Sequence, residues 1–317
     1  MKKTKLIIVA GMSGVGKSTS AQNISYQLTK NAIPHEWYHE EMKDHPIRWA
    51  EGGEFTAGDR NTEEGMELNI LDTFSRWVAL IEKMITKGGV FVMEGCLYQN
   101  IIRYFIPGGY PREKIFEYYQ HLLKILEPAN PHIIHLYRPD VKISFRKAFE
   151  VRGKNWEKII TESQQNYDFT DEIAYQTLAR EVFAGYPGKK LSIDTSEDQW
   201  ADYLQQMCDF LDIHYHHKPY ASVENPEKYV GIYTKGNAKV TIIYKDHQLY
   251  CSPPWFTHIK MNPVKEDEFE LTAFPINFKF SFREDETCLS VTGNYDWQIV
   301  GKTLKARTIS KEEGPDV

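Results

Sequence analysis

The chain has 317 residues, of which 26% are charged and 41% are hydrophobic, and its formal net charge is −6 at pH 7. This length suits a sizeable core with a smaller module appended, and the composition is that of a soluble globular protein. The negative charge disfavours nonspecific binding to nucleic acid, and no stretch of sequence is long and apolar enough to span a membrane.

The first two thirds of the chain predict an α/β fold. From residue 5 to about residue 211, short β-branched or aromatic runs alternate with longer helical periods, which is the pattern of βαβ units and a parallel sheet. Strands are predicted at 6–10, 35–39, 90–94, 133–137 and 191–194. Helices are predicted at 17–30, 63–87, 112–126, 141–151, 156–184 and 200–211.

The last third predicts a separate β domain. Residues 214–227 carry little periodicity and are interpreted as a linker between domains at 1–213 and 228–310. Short alternating segments, including 239–244, 248–251, 278–282 and 288–291, predict a small antiparallel β domain, and residues 311–317 a frayed tail. Three roles stay open for this domain: packing on the first domain, pairing subunits as a homodimer, or completing a substrate pocket.

The cysteines and the amino-terminal sequence both bear on the cellular compartment. The four cysteines are scattered without a CxxC pair, so neither a zinc site nor a disulfide framework is indicated. The apolar run at residues 6–9 breaks at once into Gly11, which is typical of a first strand and not of a signal peptide. We therefore expect reduced thiols and a cytoplasmic protein.

Residues 11–18 match the pattern G-x-x-x-x-G-K-[ST] of a phosphate-binding loop, placed between a predicted buried strand and a predicted helix. Glycines let backbone N–H groups turn toward phosphate oxygens, and the helix N-terminus favours negative charge. Lys17 would neutralise the β and γ phosphates of ATP, and the Ser18 hydroxyl would hold Mg²⁺. The predicted nucleotide-binding residues are Gly11, Met12, Ser13, Gly14, Val15, Gly16, Lys17, Ser18 and Thr19. The alternative is a glycine-rich turn that binds no ligand.

Further motifs resemble the nucleoside and nucleotide kinase group of P-loop proteins, which includes deoxynucleoside and thymidylate kinases. No Asn-Lys-x-Asp guanine signature is present. The third predicted strand ends in Glu94, as strands of deoxynucleoside kinases end in an acidic residue before Arg and Ser. Gly95 stands where those enzymes carry arginine, and Arg103 is the candidate to replace it. The resemblance covers roughly residues 5–212 and implies a three-layer P-loop NTPase fold with a five-stranded parallel sheet.

The resemblance extends to a lid and to the last strand. Residues 136–141, 145–147 and 151–156 are similar to the strand, helix and arginine-bearing lid of this family. The resemblance implies that Arg146 and Arg152 close over the transferring phosphoryl group, and Lys154 is the third candidate. A solvated basic helix face is the alternative. Residues 190–196 are similar to the strand and turn that pass beside the adenine, although an ordinary helix cap has the same sequence pattern.

An acceptor hydroxyl needs a base or an orienting group near the γ phosphate. The second predicted strand leads to Glu40 and Glu41, and because neighbouring strand residues face opposite ways, only one of them is expected to enter the site. Glu41 is slightly favoured. Asp44, His45, Arg48 and Trp49 follow and are suited to a planar or sugar-like acceptor, and the alternative for Trp49 is a core or helix-packing role.

The sequence therefore predicts ATP-dependent, Mg²⁺-assisted phosphoryl transfer to a small-molecule hydroxyl or phosphate. Lys17, Glu40 or Glu41, Arg146 and Arg152 are the catalytic candidates, and Ser18 and Glu94 are the metal-binding candidates. The alternatives are an ATP-binding regulatory or interaction protein without an acceptor and, third, a plain ATPase.

Overall fold

A computed structural model of the chain contains two compact units that share one helix. The first comprises Met1–Phe145 and Tyr167–His216, and the second comprises Arg146–Asn166 and His217–Val317. The predicted first domain, by contrast, included residues 146–166, which this division assigns to the C-terminal unit. The domain boundaries at 1–213 and 228–310 stay a prediction. The structure describes residues 4–40, 42, 45–47, 62–98, 102–106, 109–152, 168–235, 238–253, 256–284, 288–293, 297–299, 302–304 and 308–311.

The first unit is built on a parallel sheet of five strands in the order β2-β3-β1-β4-β5. Its strands are β1 (Thr4–Ala10), β2 (His35–Tyr38), β3 (Gly89–Glu94), β4 (Pro131–Tyr137) and β5 (Lys189–Asp194). All five predicted strands are confirmed, with ends that differ by one or two residues. Central β1 is apolar from Leu6 to Ala10, and Leu6, Ile7 and Ile8 are fully buried because both faces of the sheet are covered.

Helices cover this sheet on two faces. They are α1 (Lys17–Lys30), α2 (Glu63–Lys87), α3 (Ile102–Phe105), α4 (Arg112–Leu126), α5 (Val141–Arg152), α6 (Thr170–Gly185) and α7 (Trp200–Leu211). Right-handed crossovers in this strand order place α1 on one face and α2 and α4 on the other. Helix α7 packs with α1, and α2 packs with α4. The predicted three-layer α/β/α fold is confirmed.

Local sequence explains where the helices begin and end. The Thr62 hydroxyl accepts a hydrogen bond from the Gly65 N–H at the start of α2, and acidic Glu63 and Glu64 occupy its first turn. The helix ends at Gly88, whose φ is 67°. Of the predicted helix at 156–184, the structure describes α6 from Thr170, and residues 156–167 lie outside the described part. The short α3 was not predicted.

The second unit contains an antiparallel barrel. In order around the barrel its strands are β10 (Glu268–Leu271), β11 (Asn277–Phe282), β12 (Cys288–Gly293), β15 (Thr308–Lys311), β6 (Gly231–Lys235), β7 (Ala238–Lys245), β8 (Gln248–Ser252) and β9 (Ile259–Lys265). The strands β13 (Trp297–Ile299) and β14 (Lys302–Leu304) form a separate hairpin. The predicted small antiparallel domain is confirmed, and closure of the sheet removes its exposed edges.

Alternation along the strands fills the barrel with side chains. Along β8, Leu249 and Cys251 are buried while their neighbours are half-buried. Tyr229, Tyr233 and Phe269 are the largest fully buried side chains of the barrel core. The core is therefore a packed apolar cluster that belongs to this unit alone.

The predicted linker is held in place by hydrogen bonds and by an ion pair. Gln27 on α1 donates to the His216 carbonyl at 2.9 Å and accepts from the His216 N–H at 2.8 Å. Further along, Lys218 pairs with Glu270 at 2.6 Å, and the Ala221 N–H donates to the Pro263 carbonyl. Residues before His217 thus belong to the first unit and residues after it to the second. Among the described helices, none has the length and apolar character needed to cross a membrane.

Candidate functional site

The phosphate-binding loop follows β1 and requires its glycines. Gly11, Gly14 and Gly16 have φ values of 144°, 82° and 92°, which L side chains rarely adopt. A Cβ at Gly11 would lie 2.2 Å from the Leu136 carbonyl oxygen, and one at Gly14 would lie 1.7 Å from that of Ser144. Backbone carbonyl groups therefore pack so closely against the loop that Gly11 and Gly14 leave no room for a side chain.

The N-terminus of α1 is suited to an anion. Its cap residue Gly16 makes no side-chain capping bond, and the first turn carries no acidic residue. The first amide groups of a helix lack intrahelical partners and carry its positive dipole end, so they attract phosphate. Lys17 is buried, and its Nζ donates to the Met12 carbonyl oxygen at 2.9 Å, while Ser18 and Thr19 are half-buried. The Lys17 side chain therefore folds back onto the phosphate-binding loop.

Glu94 ends β3 beside this loop. Parallel register pairs Glu94 with Val9, two residues before Gly11. The carboxylate is fully buried, and its Oε1 lies 3.2 Å from His39 Nε2 and accepts a hydrogen bond from the Glu40 N–H at 3.3 Å. Its other oxygen, Oε2, is buried without a hydrogen-bond partner among the described residues. An unpartnered buried oxygen needs an explanation, and a bound cation is one.

Burial raises the pKa of Glu94 to about 7, against the favourable effect of nearby His39 and Lys17. The neighbouring Glu40 carboxylate raises the pKa of Glu94 further. A divalent cation at Oε2 would favour the charged carboxylate and would satisfy the unpartnered oxygen. The residues present therefore fit a magnesium ion, as the sequence predicts for Glu94.

The acceptor-side prediction is only partly covered by the structure. Glu40 is half-buried and contributes its backbone N–H to Glu94. Glu41, Asp44, Arg48, Trp49 and Lys154 lie outside the described residues, as does the side chain of Arg103. His39 is not among the residues predicted from the sequence, although it ends the predicted strand at 35–39 and directly precedes Glu40.

A cysteine and a histidine form a second buried contact near this strand end. Cys96 Sγ lies 3.6 Å from His45 Nε2, and His45 Nδ1 accepts a hydrogen bond from the Ile47 N–H at 3.2 Å. Because Nδ1 accepts, the neutral ring carries its proton on Nε2 and directs it toward the sulfur. Cys96 has a φ of 58°, so the turn after β3 turns sharply at this point.

The two predicted lid arginines do not share a helix face. The buried face of α5 contains Val141, Phe145 and Ala148. At about 100° per residue, Arg152 lies about 20° from Val141 around the helix and Arg146 about 140° away. Arg146 is exposed, whereas Arg152 is half-buried with its guanidinium 5.5 Å from the centre of the Phe256 ring. Their roles as lid residues stay a prediction.

The turn between β5 and α7 contacts the phosphate loop. The Thr195 hydroxyl lies 3.3 Å from the Val15 carbonyl oxygen, and the Trp200 ring would lie 2.0 Å from a Cβ at Gly16. The buried Arg138 guanidinium donates to the Ser196 carbonyl at 3.2 Å and forms an ion pair with Asp198. Thr195 therefore connects this turn to the loop, and Arg138, which follows β4, holds the turn in place.

No cluster of three or more His, Cys, Asp or Glu side chains able to hold a metal occurs in the described part of the chain. Magnesium in nucleotide sites is commonly held by one or two protein groups together with substrate phosphates. Ser18 and Glu94 would supply such a partial set.

Comparison with solved structures finds similarity at low sequence identity. Thymidylate kinase from Ehrlichia chaffeensis is 11% identical, the match covers 67% of this chain and 100% of that one, and the TM-score is 0.40. The YorR protein from Bacillus subtilis, in complex with phosphorylated GDP, is 17% identical, with 67% and 99% covered and a TM-score of 0.36. No protein-family model matches the chain. No curated protein sequence matches it significantly.

Proposed function

We propose that the protein transfers a phosphoryl group from ATP, with Mg²⁺, to a hydroxyl or phosphate of a small molecule. The observation that supports this is the pairing of the loop at Gly11, Gly14 and Gly16 with the buried Glu94 carboxylate, one oxygen of which has no hydrogen-bond partner among the described residues. Phosphoryl transfer is mainly positioning and charge neutralisation. A loop that binds phosphate beside a buried group able to hold a cation supplies both.

Each residue of the site has a distinct part in this proposal. The loop amides and the α1 N-terminus bind the phosphates, and Lys17 moves from the Met12 carbonyl to the β and γ phosphates. Ser18 and Glu94 would hold magnesium, which would supply positive charge beside the phosphates. His39 and the Glu40 N–H hold the Glu94 carboxylate in place.

The proposal is less specific about the acceptor than about the nucleotide. Glu40 or Glu41 orients the acceptor, and a substrate that is already a phosphate needs no base. The acceptor class lies among nucleosides, nucleotides and other hydroxyl-bearing metabolites. We also propose a cytoplasmic location, supported by the buried Cys96, Cys208 and Cys251, which form no disulfide within the described part of the chain.

The test is ADP release from ATP and magnesium across a panel of nucleosides, nucleotides, sugars and aminoglycoside-type alcohols. Lys17→Ala should abolish acceptor-dependent release because the buried cation of the loop is lost. Lys30→Ala, at the exposed end of the same helix, is the matched control and should keep wild-type rates. ATP binding without release on any acceptor would favour a regulatory ATP-binding protein, and release without acceptor would indicate an ATPase.

Glu94→Gln tests the metal-binding role separately. The substitution keeps the shape of the side chain but removes its charge. We expect the magnesium-dependent rate to fall by about 100-fold, an effect typical of losing one group that stabilises transferred charge. Binding of ATP without magnesium, measured by calorimetry, should not weaken. Wild-type magnesium dependence in this variant would remove Glu94 from the proposed site.

A further inference from the structure

A surface groove of the first unit lies between the residues that follow β4 and one face of helix α6. Its volume is about 450 Å³, which is within the range of sites that bind small molecules. All of the residues that line it belong to the first unit, and none is proposed to bind nucleotide or magnesium. They are Pro139, Val141, Ile173, Gln176, Thr177, Arg180, Glu181 and Ala184.

Helical spacing gives the groove an amphipathic wall. Ile173, Thr177, Arg180 and Ala184 follow one another at intervals of four, three and four residues, so their side chains share one face of α6. All four are exposed. An aliphatic side chain lies at each end of this row, and a hydroxyl and a cation lie between them. Such a wall suits a small ligand that has both an apolar body and a polar group.

Arg180 is the cation of the groove. Its guanidinium lies over the Tyr137 ring, 4.2 Å from the ring centre. A guanidinium held in this way presents the N–H groups at the edge of its plane, and these match the geometry of a carboxylate. The neighbouring acidic residue, Glu181, is paired with Arg112. In the part of the chain that the structure describes, Arg180 has no ion-pair partner of its own.

Gln176 brings a hydrogen-bond acceptor to the groove. The residue is 7% exposed, and its Nε2 donates to the Arg138 carbonyl oxygen at 2.8 Å. Because a carbonyl oxygen only accepts, this bond fixes which end of the amide is Oε1. That oxygen is buried and has no hydrogen-bond partner among the described residues, a state that calls for an explanation. A donor reaches it when neighbouring side chains of α6 rotate, and the exposed Ile173 and Thr177 have room to do so.

The two polar groups define the chemistry of a ligand. Gln176 and Arg180 are four residues apart on α6, so their Cβ atoms are neighbours at about 5–6 Å. A molecule that carries its carboxylate and its N–H or O–H donor on adjacent carbons is short enough to contact both side chains. Its apolar remainder would lie against Val141, Ile173 and Ala184.

We propose that this groove binds a small apolar carboxylic acid that carries a hydroxyl or an amine beside its carboxylate. Arg180 binds the carboxylate, and Gln176 Oε1 accepts a hydrogen bond from the neighbouring donor. The inference goes beyond the proposed function and does not depend on it, because the groove and the phosphate-binding loop share no residue.

Calorimetry on the full-length protein without ATP tests the site with three acids of similar shape: α-hydroxyisocaproate, leucine and isocaproate. At least one of the first two should bind with a dissociation constant of about 1 mM or below, as for a ligand of this size. Isocaproate lacks the donor and should bind about fivefold more weakly than the better of them, as for loss of one hydrogen bond. Changing the ligand in this way keeps the bond between Gln176 and Arg138.

Two substitutions at exposed positions locate the binding. Arg180→Gln should weaken it at least about tenfold, as for loss of hydrogen bonds to a charged group, and Lys124→Gln on α4 is the control that removes the same charge elsewhere. Ala184→Phe fills the apolar end of the groove and should also weaken binding. Its control is Ala201→Phe at an exposed position of α7. Hydrogen exchange of α6 should slow when the acid binds to the wild type.

The outcomes separate this inference from the proposed function. Binding that protects α6 and is weakened in Arg180→Gln and Ala184→Phe, but not in their controls, supports the groove as a site even if the protein transfers no phosphoryl group. Absence of binding by all three acids overturns the inference and leaves the kinase proposal intact. Binding that is equally strong in Arg180→Gln and Ala184→Phe also overturns it, because the acid then binds elsewhere.

Discussion

At the scale of single residues, burial decides which ionisable groups are altered. Glu94 is buried at the end of β3, and His135 is buried in the middle of β4. The Phe183 ring stacks on the His135 ring at 5.1 Å between ring centres. Burial lowers the pKa of His135 to about 4, with a smaller contribution from nearby Arg180. Glu94 lies in the candidate site, whereas His135 belongs to the core.

The His135 shift predicts acid sensitivity. An unfolded histidine binds a proton near pH 6.5, but folded His135 resists protonation until about pH 4. The unfolded state therefore binds more protons between these values, and stability is lost as pH falls from 6.5 toward 4. Between pH 7.5 and 4.5, the wild type should lose about 2 kcal/mol more unfolding free energy than His135→Leu. Urea denaturation at the two pH values measures this, and equal losses would contradict it.

Gly14 predicts a steric effect on nucleotide binding. In Gly14→Ala the new Cβ would collide with the Ser144 carbonyl at a φ of 82°, so the loop must shift. We expect ATP affinity to fall at least about tenfold, as for loss of one or more good hydrogen bonds to charged phosphate. Gly109→Ala is the control, because Gly109 has a φ of 64° but open space around it. Calorimetric titration should show wild-type ATP binding in the control, and similar affinity in both variants would refute the steric account.

At the scale of elements, the β5–α7 turn depends on one buried arginine. The Arg138 guanidinium bonds this turn through Ser196 and Asp198, while the Arg138 backbone carbonyl accepts from Gln176 on α6 at 2.8 Å. Since Thr195 in the same turn contacts the phosphate loop, Arg138 supports the loop indirectly. Its fork-shaped guanidinium can serve two acceptors at once, which a lysine ammonium does less well.

Arg138→Lys should therefore destabilise the first unit. We expect a loss of about 2 kcal/mol in unfolding free energy, because a buried charge would keep only part of its hydrogen bonding. The matched control is Arg112→Lys, whose ion pair with Glu181 is exposed to solvent and should contribute little to stability. Thermal denaturation compares the two variants. An Arg138→Lys protein as stable as the control would contradict the supporting role of this side chain.

At the scale of the whole molecule, each unit has a core of its own. Ile242 is fully buried in the barrel cluster, and Leu122 on α4 is fully buried in the α/β unit. The described contacts of the shared helix α5 lie partly in one unit and partly in the other. Because each core is separate, we expect two unfolding steps that are only weakly coupled.

Paired core substitutions test this organisation. Ile242→Ala and Leu122→Ala should each cost about 2–5 kcal/mol, as for large-to-small changes in a packed core. Calorimetry should show the first variant lowering one unfolding transition and the second lowering the other, and saturating ATP should raise only the transition affected by Leu122→Ala. A single transition shifted equally by both substitutions would mean that the molecule unfolds as one cooperative unit.

The sequence by itself determined the parallel sheet, its helices and the phosphate loop. Helices α1, α2, α4 and α7 occupy the predicted residues because caps, apolar periodicity and glycines are local signals. The loop residues follow from spacing alone, since the chemistry of phosphate binding needs consecutive backbone groups. These features depend on neighbours along the chain, which a sequence displays directly.

Only the tertiary structure decided which distant residues meet. The contacts of His39 with Glu94, of His45 with Cys96 and of Thr257 with Val151 join residues far apart in sequence. Closure of the barrel likewise depends on pairing β6 with β15, and no local pattern specifies that register. Such contacts arise from burying apolar surface across the whole chain, so the partner of a side chain is set by packing and not by its own neighbourhood.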